Sequence, residues 1–226
     1  MDTNGKQLGV LGLGNRSTLF YINALNTAFN NQKKGYSTFP FVLYNTNFDG
    51  INPYLPNNFN KLLPVLSEVI ASLVTLPITH LLIPNITIHE AIDRLSIDLK
   101  LLHPLALCVT VLKQKNETSA VVFGTQYTMT SPYLTNYFAS EGIQIHSPSE
   151  KDRIFIDQFR QKVYSNSETE ADKISYLKLL KSYSAKTDII LACTELSVLY
   201  DNYDSLNVID LATLQIEEAL NLFKTD

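Results

Sequence analysis

The run "THLLIPN" (79–85) returns later in the chain as "TDIILAC" (187–193): a threonine, a polar residue, three aliphatics, a small residue and a polar one. In each half an earlier strand-like run closes on glycine, "GVLG" at Gly12 and "AVVFG" at Gly124. The spacings are similar, 73 residues from Gly12 to Asn85 and 69 from Gly124 to Cys193. Short β-rich runs are expected at 8–13, 39–45, 79–84, 105–110, 119–124, 143–147, 187–193 and 207–210. Between them, apolar residues recur at helical spacing. Leu62, Val65, Leu66, Val69, Ile70 and Leu73 form one stripe, and Ile174, Leu177, Leu180 and Lys181 part of another. Strands alternating with helices imply parallel sheets joined by crossovers, and unbroken apolar runs imply strands covered on both faces. The expected fold is therefore α/β, with two pseudosymmetric lobes, each a mostly parallel sheet flanked by helices, and a cleft between them. The first lobe is expected over 1–112 with 208–226, the second over 113–207. Ligands bind outside the carboxyl ends of such strands, which would set Asn85 and Cys193 on opposite walls of one site.

Composition narrows the function. The chain has 226 residues, 45% of them hydrophobic and 18% charged, the balance of a globular protein with a real core. Its formal net charge is -4 and no basic block occurs, so no nucleic-acid partner is expected. No apolar run approaches the roughly 20 residues of a membrane helix, and "MDTNGKQLGV" does not read as an export signal. With two cysteines 85 positions apart (193 − 108), a reducing, cytoplasmic setting is expected. The Asn- and Pro-rich segment 52–60 reads as a surface loop, a lid if a site lies beneath it.

Several motifs bear on chemistry. "GVLGLGNRST" (9–18) lacks the G-x-G-x-x-G order, and the following strand ends in "LYNTN" without an acid for a ribose, which argues against a dinucleotide. Gly12 and Gly14 instead suit a tight strand-to-helix turn, either a carboxylate cradle or simply a turn. "HEAID" (89–93) lacks the second histidine of a zinc helix, and His80, His103 and His146 show no metal spacing, so no metal is expected. His89 reads as a polar residue near a helix start. "FGTQYTMTS" (123–131) gathers hydroxyls at Thr125, Thr128, Thr130 and Ser131 behind Gly124, more than one helix cap needs. In "ACTEL", Cys193 ends a strand where a helix begins, a setting that lowers a thiol's pKa, although an inert buried role is equally open. Cys108 reads as a small core residue.

Taken together these motifs resemble the aspartate/glutamate racemase superfamily, the cofactor-independent racemases of two pseudosymmetric lobes, over nearly the whole chain. "GLGNRST" is similar to G-M-G-P-x-A/S-T, "IPNITIH" to P-C-N-T-x-H, and "FGTQYTM" to G-T-x-x-T. "LACTEL" matches G/A-C-T-E-L throughout, and "VIDLA" is similar to the closing D-T-x-x segment. "LYNTNF" (43–48) occupies the place of a substrate-contacting segment. The resemblance implies two thiols on opposite faces of a substrate α-carbon, one removing the proton and the other returning it. It implies no cofactor, so the carbanion's charge would fall to groups around the α-carboxylate. Here those would be Gly14, Asn47, Ile86, Thr87, Thr125, Thr128 and Thr194, with Glu195 beside the second thiol. A small carboxylate or amino acid is the implied ligand, a homodimer the implied assembly.

Two departures stand out against that pattern. Asn85 occupies the first cysteine's place, with Ile86 beside it where asparagine is usual. An amide has no accessible ionisation and cannot exchange a proton at neutral pH. Phe155 falls near a lysine that pairs with a substrate carboxylate in many relatives. Three readings follow: a racemase-type enzyme with Cys193 as its remaining base, a carboxylate-binding protein that has lost turnover, or a one-cysteine isomerase of an unsaturated diacid.

Overall fold

The computed structural model describes residues 7–198 and 206–223. The first half begins with β1 (Leu8–Gly12), α1 (Asn15–Lys33), β2 (Phe41–Asn45) and α2 (Phe59–Leu73). It continues through β3 (His80–Leu82), the short α3 (His89–Ile92) and β4 (Lys100–Leu101). Next come α4 (Pro104–Gln114), β5 (Ser119–Phe123), α5 (Pro132–Ser140), β6 (Gln144–His146), α6 (Glu150–Tyr164) and α7 (Glu170–Ser184). The chain closes with β7 (Asp188–Leu191), α8 (Thr194–Val198), β8 (Val208–Asp210) and α9 (Leu211–Asn221).

Among the described residues there are two four-stranded sheets, ordered β2-β1-β3-β4 and β6-β5-β7-β8, and every pairing is parallel. Strand for strand the second order repeats the first. The registers agree too: Val10 pairs with Leu82 and Val122 with Ile190. Asn85 and Cys193, each three residues beyond those partners, therefore hold the same position in the two sheets. That equivalence supports the internal repeat.

Each sheet has its own core. In the first, Leu62, Leu66, Ile70 and Leu73 of α2 pack with Leu11, Leu81 and Ile83. The 3.6-residue stripe is what makes this helix, since each such side chain removed from water contributes about 1.5–3 kcal/mol. Ile51 is buried in the same cluster, with Tyr54 and Leu55 against it, so part of the 51–58 segment is folded onto this core. In the second, Ile156, Phe159 and Val163 of α6 and Tyr176 and Leu180 of α7 enclose Val121, Phe123, Ile189 and Leu191.

Two sequence expectations are corrected here. The run 105–110 is not a strand: it lies inside α4, which buries Leu105, Cys108, Val109 and Leu112 at helical spacing. Pro104 heads that helix at a position where its missing N–H costs nothing. On α7 the buried face runs through Tyr176, Leu180 and Ser184, whereas Ile174 is exposed.

The compact units are 1–103 with 215–226, and 104–214. β8 hydrogen-bonds to β7 in the second sheet, although the sequence-based division set 208–226 wholly with the first lobe. Within the first unit Gln215 is fully buried: its Oε1 accepts from Tyr21 Oη at 2.6 Å and its Nε2 donates to the Leu102 carbonyl at 2.7 Å. Among the described residues no helix is long and apolar enough to cross a membrane.

Candidate active site

Parallel strands deliver the chain to one edge of each sheet, and the expected site residues fall at those edges in two groups. The first sheet carries Gly14, Asn47, Asn85, Ile86 and Thr87. The second carries Thr125, Thr128, Cys193, Thr194 and Glu195.

In the second group Cys193 lies two residues beyond β7 and packs into the core between the sheet and α6. Its Sγ–H donates to Glu195 Oε2 at 2.8 Å. The thiol's pKa is pushed well above the ordinary value, first by burial and then by the Glu195 charge, with Arg160 opposing. The lowering expected at a helix start is overturned. α8 has five residues, too short a dipole to outweigh burial beside a carboxylate. The pair at rest is thus a protonated thiol hydrogen-bonded to Glu195. The Cys193 carbonyl accepts the N–H of Leu196 at 3.0 Å and of Ser197 at 3.3 Å. Ser197 Oγ in turn donates to buried Asp210 Oδ1 at 2.7 Å, which ties the thiol's turn to the end of β8. Burial also pushes the Asp210 carboxyl up, against the hydrogen bonds it accepts from Ser197, Ala212 and Thr213.

Thr125 and Thr128 share a hydrogen bond of 2.8 Å between their hydroxyls, and Thr128 N–H donates to Thr125 Oγ1 at 3.0 Å. Thr194 is buried. Gly124 leaves little room for a side chain: a Cβ there would lie 3.2 Å from both the Ala192 carbonyl oxygen and Thr128 Cβ. Because backbone cannot yield as a side-chain end does, Gly124→Ala is expected to cost about 1–2 kcal/mol. A lower urea midpoint at unchanged m-value is the check, and an unaltered midpoint would refute the close packing.

In the first group Asn85 is a turn-former. Its Oδ1 accepts the Ile88 N–H at 3.1 Å, while its carbonyl accepts His89 Nδ1–H at 2.8 Å. Ile86 is buried and Thr87 half-buried. Asn47 is exposed and its Oδ1 accepts the Asp49 N–H at 3.1 Å. Gly14 stands at the N-cap of α1. Two positions beyond Asn85 the first half has Thr87, where the second half has Glu195. The first half thus presents an amide and a threonine where the second presents a thiol and the carboxylate that accepts its hydrogen bond. Phe155 stacks at 10° on Phe159 with ring centroids 6.4 Å apart.

Sequence reasoning passed over two pairings, and it read His89 only as a polar residue near a helix start. Asp157 and Arg160 on α6 pair at 2.9 Å, and Asp157 also accepts the Gln126 N–H at 3.2 Å. The i, i+3 spacing in "DQFR" is visible, but its partner at residue 126 is tertiary. Ser197 and Asp210 are joined only by the fold. His89 is fully buried, its ring 5.0 Å from His103 and edge-on to it. No group of three or more His, Cys, Asp or Glu able to hold a metal occurs among the described residues.

No protein-family model matches the chain, and no curated protein matches it either. Solved structures do. A candidate Asp/Glu racemase from Yersinia pestis superposes with a TM-score of 0.82 at 23% identity, covering 96% of this chain and 98% of its own. An aspartate racemase homologue from Pyrococcus horikoshii OT3 gives 0.80 at 16% identity, covering 96% and 98%. The aspartate racemase of Picrophilus torridus gives 0.74 at 19% identity, covering 97% and 100%. At these identities what the chain shares with them is the fold alone.

Proposed function

We propose that the chain is a racemase-type enzyme that moves the α-proton of an aspartate- or glutamate-like amino acid, with Cys193 as its one thiol base. The observation that carries this reading is the Cys193–Glu195 pair at the carboxyl edge of a parallel sheet, in a fold otherwise seen in aspartate racemases. Glu195 takes the thiol proton. The thiolate then takes the α-proton, forming S–H as the C–H bond breaks, and the electron pair passes into the α-carboxylate. Hydrogen-bond donors around that carboxylate, Thr194 and the Thr125–Thr128 pair among them, would hold the charge. Reprotonation by the same thiol returns the starting enantiomer. Inversion needs a second acid, and Asn85 cannot be one, so that proton must come from water.

The test is exchange in heavy water with L- and D-amino acids, followed by NMR at the α-position. Exchange with retention faster than inversion is expected. Burial and Glu195 raise the thiol's pKa, but the proton that leaves the thiol stays on Glu195, so the rate is expected to change little from pH 7 to pH 9. Equal rates of exchange and inversion would count against a single base. A second reading, a carboxylate-binding protein without turnover, is favoured by that same raised pKa together with Asn85. Binding without exchange at any pH would select it.

A further inference from the structure

Cys193 shares its core cluster with Ile156, Phe159 and Val163, which form the buried face of α6. Arg160 follows Phe159 and lies one turn beyond Ile156, at the border of that face. Its side chain is 20% exposed, and that of its partner Asp157 is 17% exposed. One carboxylate oxygen holds the guanidinium twice: Nε donates to Asp157 Oδ1 at 2.9 Å, and Nη2 lies 2.9 Å from the same atom. That oxygen also accepts the Gln126 N–H at 3.2 Å, and Oδ2 accepts from Gln161 Nε2 at 2.7 Å. Asp157 thereby ties Arg160 to the turn that follows β5.

An exposed ion pair at i, i+3 spacing contributes little, and withdrawing both ions from water carries a cost. Asp157 offsets its share with hydrogen bonds from backbone and side chain. The cation gains a fixed place beside the core that holds the thiol. Its charge reaches Cys193 and favours the thiolate, against burial and the Glu195 carboxylate, which both favour the protonated form.

We propose that Arg160 is a positioning residue for the Cys193 thiolate: Asp157 fixes its guanidinium against the turn after β5, and from there its charge stabilises the sulfur anion as the proton leaves for Glu195. The proposal rests on the reading of Cys193 as the proton-transfer group. When the proton moves from sulfur to Glu195, the pair keeps its total charge and the negative end shifts onto sulfur. A cation acting on the sulfur lowers the cost of that shift without touching a substrate.

Modification of Cys193 by iodoacetamide at pH 8, followed on its own peptide by mass spectrometry, reads the thiolate population without requiring turnover. Arg160→Gln is expected to slow it roughly tenfold, the effect of about one unit in a thiol's pKa, and Arg160→Lys to restore most of the rate. Arg160→Met, which keeps an apolar stem against α6, is a second charge-free variant and is expected to match Arg160→Gln where the latter folds poorly. An unchanged rate in the charge-free variants overturns the proposal. Equal slowing in Arg160→Lys does so too, since the pairing geometry and not the charge would then be responsible. In heavy water, kcat for α-proton exchange is expected to fall by a similar factor in Arg160→Gln with KM little changed. A rise in KM alone would make Arg160 a substrate contact and overturn the positioning role. Failure of every amino acid to exchange with the parent chain would sink the racemase reading, while the modification rates still decide the role of Arg160.

Discussion

Cys193→Ser is expected to abolish α-proton exchange, by roughly 10²–10⁴-fold, the usual worth of a positioned proton-transfer group. The hydroxyl fits the same space and can still donate to Glu195, but it does not ionise at accessible pH. Ligand binding and thermal midpoint should therefore change little. Glu195→Gln separates two roles for the carboxylate. As a bystander whose charge merely raises the thiol's pKa, its removal would shift the pH–rate profile to lower pH and speed exchange near neutrality. As the acceptor of the thiol proton, its removal slows exchange at every pH, and this is the expected result. Asn85→Cys alone should add little, because Thr87 provides no carboxylate to take the new thiol's proton. Asn85→Cys with Thr87→Glu is expected to raise inversion relative to retention. Exchange that survives Cys193→Ser at the parent rate would end the thiol mechanism.

The two halves carry one scaffold with different chemistry on it. At equivalent strand ends the second presents a thiol, a carboxylate two residues on and a serine four residues on; the first presents an amide, a threonine and a histidine. Both turns are pinned by the residue four positions along, Ser197 to the Cys193 carbonyl and His89 to the Asn85 carbonyl. The turn geometry is therefore alike in the two halves, although the side chains on it differ.

Much of this was legible in the residues. Glycines closing β1 and β5, and the repeated run ending in Asn85 and Cys193, marked equivalent strand ends without any structure. Local reading failed where an apolar run was short. "LALCVT" satisfies a strand's composition, and only Pro104 ahead of it and the spacing of Leu105, Cys108, Val109 and Leu112 reveal a helix. β4, two residues long, carries no pattern to read. The thiol's raised pKa was missed because a helix start was weighed without its burial or the neighbouring Glu195. Asp157 against residue 126, and Asp210 against Ser197, are contacts made by folding, and spacing along the chain does not encode them.

Acid should weaken the first half through His89. Burial, and then the charge of His103, push its pKa from the ordinary 6.5 down to about 3, although Asn85 and Asp93 act in the opposite direction. The ring therefore stays neutral in the fold, with Nδ1–H on the Asn85 carbonyl and Nε2 buried without a partner. Unfolded, the same ring takes up a proton near pH 6.5. Between pH 6.5 and 3 the unfolded chain binds a proton that the native one refuses, so stability falls as pH falls across that window. The full contribution is present above pH 6.5, and its loss by pH 3 amounts to roughly 5 kcal/mol, a large share of the 5–15 kcal/mol that holds a typical domain. His103 faces the His89 ring, and its Nε2 lies 3.2 Å from Asp93 Oδ1. His89→Phe or His89→Gln removes the titrating ring while Asp93 and His103 remain. Urea unfolding at pH 7, 6, 5 and 4 should give a steep loss in the parent chain and a shallower one in either variant. Identical slopes in all three proteins would mean that His89 is not the buried neutral group that the fold requires, and the turn carrying Asn85 would need another anchor.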